Sequence, residues 1–301
     1  MLREYYRSVV RPVLRKANHF RNLYQDRSCK IIVLIYHRVL PCEKSSFMDM
    51  VVPFHTFENQ IDSILQQGPI ISFQDYLEQS RGLKEVPSLQ FILTFDDGYV
   101  DGIKYIAPFL KKRGVSGVFF ICTDSMGRNK PLWDWYIMNK FKDQLLPQKI
   151  MRILYQYKAL SEEERLERIN RDFSIDFSKT NDADRCLNWS EVVELTRDHF
   201  EVGSHSKSHS SLAFLHPNLA HEEISESKRM IEEQTNKECR LFAFPYGGPE
   251  DWNNDLIQHV FHTGYQGCFT NIHGYNRFEE NNLVFKRVIM TPSTDVRYLL
   301  G

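Results

Sequence analysis

Seven short apolar runs recur along the chain, each closed by polar or turn-forming residues. They are KIIVLIY (30–36), FILTF (91–95), GVFFIC (117–122), FEVGS (200–204), LFAF (241–244), QGCFT (266–270) and LVFKRVIM (283–290). Runs of this length with almost no alternation read as strands buried on both faces. Between several of them lie amphipathic stretches with helical spacing, at 57–67, 100–112, 190–197, 219–234 and 251–261. Strands alternating with helices predict βα units and a mostly parallel sheet. Seven such units suit a closed or nearly closed α/β barrel. In that architecture the chemistry sits at the C-terminal ends of the strands.

Two segments break the pattern. Residues 126–185 are long, helical in spacing and charged, with the run SEEERLERINRD. They read as an insertion into a barrel that spans 29–301, placed to form a lid or substrate wall, with the charge run as a solvated helix face. Residues 1–28 read as a basic amphipathic helix. Leu2, Tyr5, Val9, Val13, Ala17, Phe20 and Tyr24 share its apolar stripe, and Arg3, Arg7, Arg11, Arg15, Lys16 and Arg21 lie between them. Such a helix either contacts a membrane surface or packs its stripe on the main domain.

Composition narrows the class. Of 301 residues, 42% are hydrophobic and 26% charged, which is ordinary for a globular chain and excludes disorder and collagen. The formal net charge of −1 argues against a global grip on nucleic acid. The six cysteines form no C-x-x-C pair, so they read as reduced and structural. The first residues lack the apolar core of a secretory signal, and no apolar run is long enough to span a bilayer. A cytoplasmic address follows as the expectation, at the inner face of the membrane if residues 1–28 bind it.

Polar clusters close three of the strands. Asp96 and Asp97 end FILTFDDGY, where Gly98 frees the turn so that both carboxylates can reach one pocket. Adjacent carboxylates repel, and a cation is the usual remedy. His205 and His209 follow the FEVGS strand four residues apart; at the start of a helix they would share a face, at metal-ligand spacing. The third cluster is Pro-Tyr-Gly-Gly at 245–248. Asp97, His205 and His209 together make a facial triad with positions left open for water and substrate. Asp96 is then free to act as base on that water. His/Asp ligation suits Zn²⁺ first, with Co²⁺, Ni²⁺ or Fe²⁺ also compatible.

TFDDG, GSHSKSH and FPYGG resemble, in this order, the motifs of the polysaccharide deacetylases, carbohydrate esterases with a NodB-like domain. The resemblance covers roughly 30–125 and 185–290. It implies a distorted (β/α)7 barrel and metal-dependent removal of acetyl groups from N-acetylated sugars. By matching position, Asp96 is the base, Asp97, His205 and His209 hold the metal, and the Tyr246 N–H helps to stabilise the oxyanion. Two positions depart from the commonest pattern: Ala243 stands where many members have Arg, and LVFKRVIM lacks the usual histidine. The opening IIVLIYHRVLP looks like the permuted branch, in which the histidine-bearing strand comes first. His37 is then the acid that protonates the leaving amine, and Arg287 restores a cation near Asp96. Trp133, Trp135 and Trp252 are candidate aromatic walls for a sugar, although tryptophans in a chain this aromatic are more often core. Two other readings remain open: a deformylase or deacylase of a lipid-linked amino sugar, and a catalytically silent glycan-binding protein. A cytoplasmic deacetylase would act on precursors, in surface-polysaccharide or glycolipid biosynthesis.

Overall fold

The computed structural model describes residues 29–41, 49–128, 130–173, 182–280 and 283–299. The amphipathic segment 1–28 and Cys42 lie outside them. The apolar runs form strands β1 (Lys30–Tyr36), β4 (Leu89–Phe95), β5 (Val118–Ile121), β6 (Glu201–Ser204), β7 (Leu241–Ala243), β8 (Gly267–His273) and β10 (Val284–Ile289). All pair in parallel in the order β10-β8-β7-β6-β5-β4-β1, and β1 pairs again with β10, so the sheet closes into a seven-stranded barrel. At the seam Val33 faces Arg287 on one side and Ile92 on the other. The short strand β9 (Asn276–Arg277) runs antiparallel to β1, and β2 (Arg38–Leu40) pairs with β3 (Val51–Pro53) outside the barrel.

Every residue of β1 is buried, as expected for a strand covered on both faces. Ile31 and Val33 join one core cluster; Ile32, Leu34 and Tyr36 join the other. The first cluster is the barrel interior. Phe120 of β5 meets Phe269 of β8 at 5.1 Å between ring centroids, although these strands are not neighbours in the sheet. Gly203 makes room for this packing, since a Cβ there would stand 2.5 Å from the Phe120 ring. The second cluster lies between the sheet and the helices α1 (Phe54–Leu65), α3 (Ala107–Arg113), α7 (Trp189–Arg197), α8 (Pro217–Thr235) and α9 (Asn254–His262). Helix α2 (Phe73–Ser80) instead sends Phe73 and Tyr76 into the inner cluster. Serine and asparagine start α2 and α7 with capping boxes, Ser72 with Asp75 and Asn188 with Glu191, which satisfy the first free N–H groups of each helix.

Between β5 and β6 the chain leaves the alternation and forms α4 (Trp133–Phe141), α5 (Pro147–Lys158) and α6 (Glu162–Phe173). A buried ion pair ties the end of this region to the barrel. Arg38 lies 2.9 Å from Asp101 and 2.9 Å from Asp184, and it donates to the Ala183 carbonyl. The five described cysteines are free thiols. Among the described residues, no helix is long and apolar enough to cross a membrane.

Candidate active site

The three polar clusters converge beyond the C-terminal ends of β4, β6 and β7. They line one cavity of about 410 Å³, together with His37 from the end of β1. Asp96 takes the next backbone bond after β4, its N–H donating to the Tyr36 carbonyl at 2.9 Å. Asp97 and Gly98 then both adopt left-handed conformations, φ 76° and 72°. This turn brings the second carboxylate to the same pocket as the first. At Gly98 a Cβ would meet Ile121 at 3.0 Å, so glycine is demanded by space as well as by φ.

Asp96 is buried and held from behind by Arg287 of β10. The guanidinium donates from both terminal nitrogens, each at 2.8 Å, one to each carboxylate oxygen. It is itself fixed by the carbonyl of Thr270 and the hydroxyl of Thr94. Burial disfavours the charge on Asp96, but the Arg287 guanidinium outweighs it and holds the carboxyl below its usual range. Asp97 has no such partner. Burial pushes its pKa up to about 6.

His205 and His209 occupy a loop rather than the start of a helix. Ser206 and His209 have positive φ, 65° and 57°, and this irregular path brings both rings to one side. Their common face thus has a cause other than the expected i, i+4 helical spacing. His205 Nδ1 bonds the Ala243 carbonyl at 2.8 Å, which fixes a tautomer with the Nε2 lone pair toward the carboxylates. Burial pushes the His205 pKa down to about 3, keeping the ring neutral and able to ligate. His209 Nε2 lies 3.4 Å from Asp97 Oδ1, and His205 Nε2 lies 3.5 Å from the same atom. One ligand atom from each of the three residues lies within 4.8 Å of the others. Asp97 Oδ1 is buried with no hydrogen-bond partner. An orphaned carboxylate oxygen facing two imidazole nitrogens fits a divalent cation by both charge and donor type.

Tyr246 sits in the Pro-Tyr-Gly-Gly turn at φ 60°. Its ring lies 4.8 Å from that of His209. Asn271 of β8 clamps the turn, donating from Nδ2 to the Tyr246 carbonyl at 2.8 Å and from its N–H to the Gly247 carbonyl at 2.8 Å. Neither pattern nor motif singled out Asp134, at the start of α4. Its Oδ2 lies 2.9 Å from His209 Nδ1, outside hydrogen-bond alignment, and accepts from the Tyr246 hydroxyl at 3.2 Å. Burial opposes a charge on His209, yet Asp134 and Asp97 raise its pKa above the ordinary histidine value.

The tryptophans do not form a sugar-facing wall; of their two readings, the core one holds. Trp133 and Trp135 are buried in the core, donating to the His209 carbonyl and to Asp184. Trp252 stacks on Phe244 and donates to the Gly247 carbonyl, bracing the turn. The cavity wall is built instead by Met138, Leu154, Tyr155 and Ile289.

Comparison with known proteins agrees with this architecture. The sequence profile of the polysaccharide deacetylase family matches residues 84–268. The chain belongs to that family. The protein YxkH of Bacillus subtilis (strain 168) is 21% identical over 272 residues, covering 89% of this chain and 74% of YxkH. Among solved structures, IcaB from Ammonifex degensii superposes with a TM-score of 0.64 at 21% identity, covering 91% of this chain and 99% of that one. The Streptococcus pyogenes deacetylase PplD, solved with acetate, gives 0.62 at 17% identity, covering 91% and 97%. These two likenesses are likenesses of fold.

Proposed function

We propose that this protein is a metal-dependent hydrolase that removes N-acetyl groups from amino sugars of a polysaccharide or glycan precursor. The observation that carries the reading is the orphaned Asp97 oxygen facing the Nε2 atoms of His205 and His209. These three residues would hold the ion, Zn²⁺ by preference for this donor set. A bound divalent cation supplies polarisation of the amide carbonyl and a lower pKa for water.

The remaining steps fall to the chain's own groups. Asp96, ionised beside Arg287, accepts the proton of the attacking water. The Tyr246 N–H donates to the acyl oxygen as charge develops on it, and the Asn271 clamp keeps that turn in place. His37, which lines the same cavity, gives a proton to the leaving nitrogen. The C–N bond then breaks to acetate and a free amine. Arg287 also answers the departure at Ala243: a cation reaches Asp96 from another strand, which speaks for an active enzyme over a silent binding protein. Action on a precursor in the cytoplasm belongs to this reading, and recovery of the protein from the culture medium would contradict it.

The test is acetate release from N-acetylglucosamine oligomers by the zinc-loaded protein. Asp96→Asn should lower kcat/KM by at least about 10²-fold. A zinc-loaded protein that binds the oligomers but releases no acetate would refute the proposal.

A further inference from the structure

The helical insertion does more than wall the cavity: it grips the loop that carries His205 and His209. Arg165 of α6, buried, donates to the Ser208 carbonyl at 2.7 Å and to the Ser210 hydroxyl at 2.8 Å. Trp133 of α4 donates through Nε1 to the His209 carbonyl at 3.3 Å, and the Ser211 N–H donates to the carbonyl of Lys158 at the end of α5. The loop is therefore held at successive residues from 208 to 211, through the backbone at 208, 209 and 211 and through the side chain at Ser210. Its left-handed His209 is a conformation that costs free energy unless its surroundings enforce it.

At the centre of this grip lies Asp134. Its Oδ1 accepts from the Trp135 N–H at 2.8 Å, which pins the carboxylate to the first turn of α4. Its Oδ2 faces two functional residues at once, His209 Nδ1 at 2.9 Å and the Tyr246 hydroxyl at 3.2 Å. A carboxylate beside one imidazole nitrogen selects the tautomer with the proton on that nitrogen and leaves the other lone pair for a cation. Backbone does the same for His205, through Ala243.

We propose that Asp134 is a positioning residue for the metal centre, orienting His209 and fixing its tautomer, so that the insertion is a structural part of that centre. This rests on the assignment of Asp97, His205 and His209 as ligands.

The experiment uses the full chain. Zinc affinity is measured by chelator competition for wild type and Asp134→Asn, alongside the melting temperature of each metal-free protein. The expected result is a Kd about 10–100-fold weaker in the variant, with the metal-free melting temperature little changed. A Kd within threefold of wild type overturns the inference. Should Asp134→Asn fail to fold, nitrogen NMR of the metal-free wild type, at a pH where the His209 ring is neutral, reads the same point: His209 is expected to carry its one proton on Nδ1, and a neutral ring protonated on Nε2 overturns the inference. A wild type that binds no zinc removes the ligand assignment itself, and this inference with it. Tight wild-type binding with an unaffected variant removes only the inference.

Discussion

Replacing Arg287 with methionine should damage stability and catalysis in a way that depends on pH. The guanidinium is fully buried and makes two 2.8 Å bonds to Asp96, itself 2% exposed. Methionine fills similar volume but leaves a buried carboxylate without its counter-ion. Breaking one side of a buried pair costs about 3–5 kcal/mol, on the order of 10 °C in melting temperature for a chain of this size. The sign with pH follows from Asp96. Its folded pKa is held below the unfolded value, so its stabilising contribution is present above about pH 4 and is lost as pH falls through the folded pKa. The gap in melting temperature between wild type and Arg287→Met should therefore be wide at pH 7 and shrink toward pH 3. In catalysis, loss of an adjacent opposite charge raises a carboxyl pKa by about 1–3 units. The acid limb of the kcat/KM profile should move upward by that amount. The assays are thermal melts across pH and a pH–rate profile on one acetylated substrate. An unmoved acid limb, or a melting gap that stays constant down to pH 3, would refute the role given to this pair.

Other expectations are as direct. With Asp97 at about 6, a cation must displace its proton below that pH, so zinc affinity measured by calorimetry should fall at least about tenfold per unit below pH 6. The same raised pKa means that Asp97 keeps a proton in the folded metal-free chain that the unfolded chain has lost, so its own contribution to stability declines as pH rises from about 4 to about 6, against the rise that His205, lowered to about 3, contributes over the same window. Gly203→Ala sets a Cβ 2.5 Å from Phe120 and 2.9 Å from the Leu241 carbonyl, and denaturant unfolding should show a loss of about 1–3 kcal/mol. Tyr155, 53% exposed at the cavity wall, should contribute through its ring face: Tyr155→Ala should raise KM for acetylated oligomers several-fold, while Tyr155→Phe should not.

The barrel was legible in the sequence because its strands are buried on both faces, and seven apolar runs mark them without a partner structure. Asp96, Asp97, His205, His209, Tyr246 and His37 were legible because each stands at or just beyond the end of such a run; the cavity they line brings all six together. The reason for the histidine pairing was not legible. A four-residue spacing suggests a helix, whereas the chain uses left-handed Ser206 and His209 to bring both rings to one side of a loop. Asp134 stayed hidden because its partners His209 and Tyr246 lie far along the chain and only the folded insertion unites them. Trp133 and Trp135 take the core role that tryptophans more often have, and their N–H groups brace the His209 carbonyl and Asp184 from within it.

The most direct test of the central claim is the metal content of the purified protein, wild type beside His205→Ala, after equilibration with zinc and removal of excess. About one divalent ion per chain in the wild type, lost in the variant, is the result expected from the Asp97–His205–His209 cluster. A wild type that retains no ion would contradict the account.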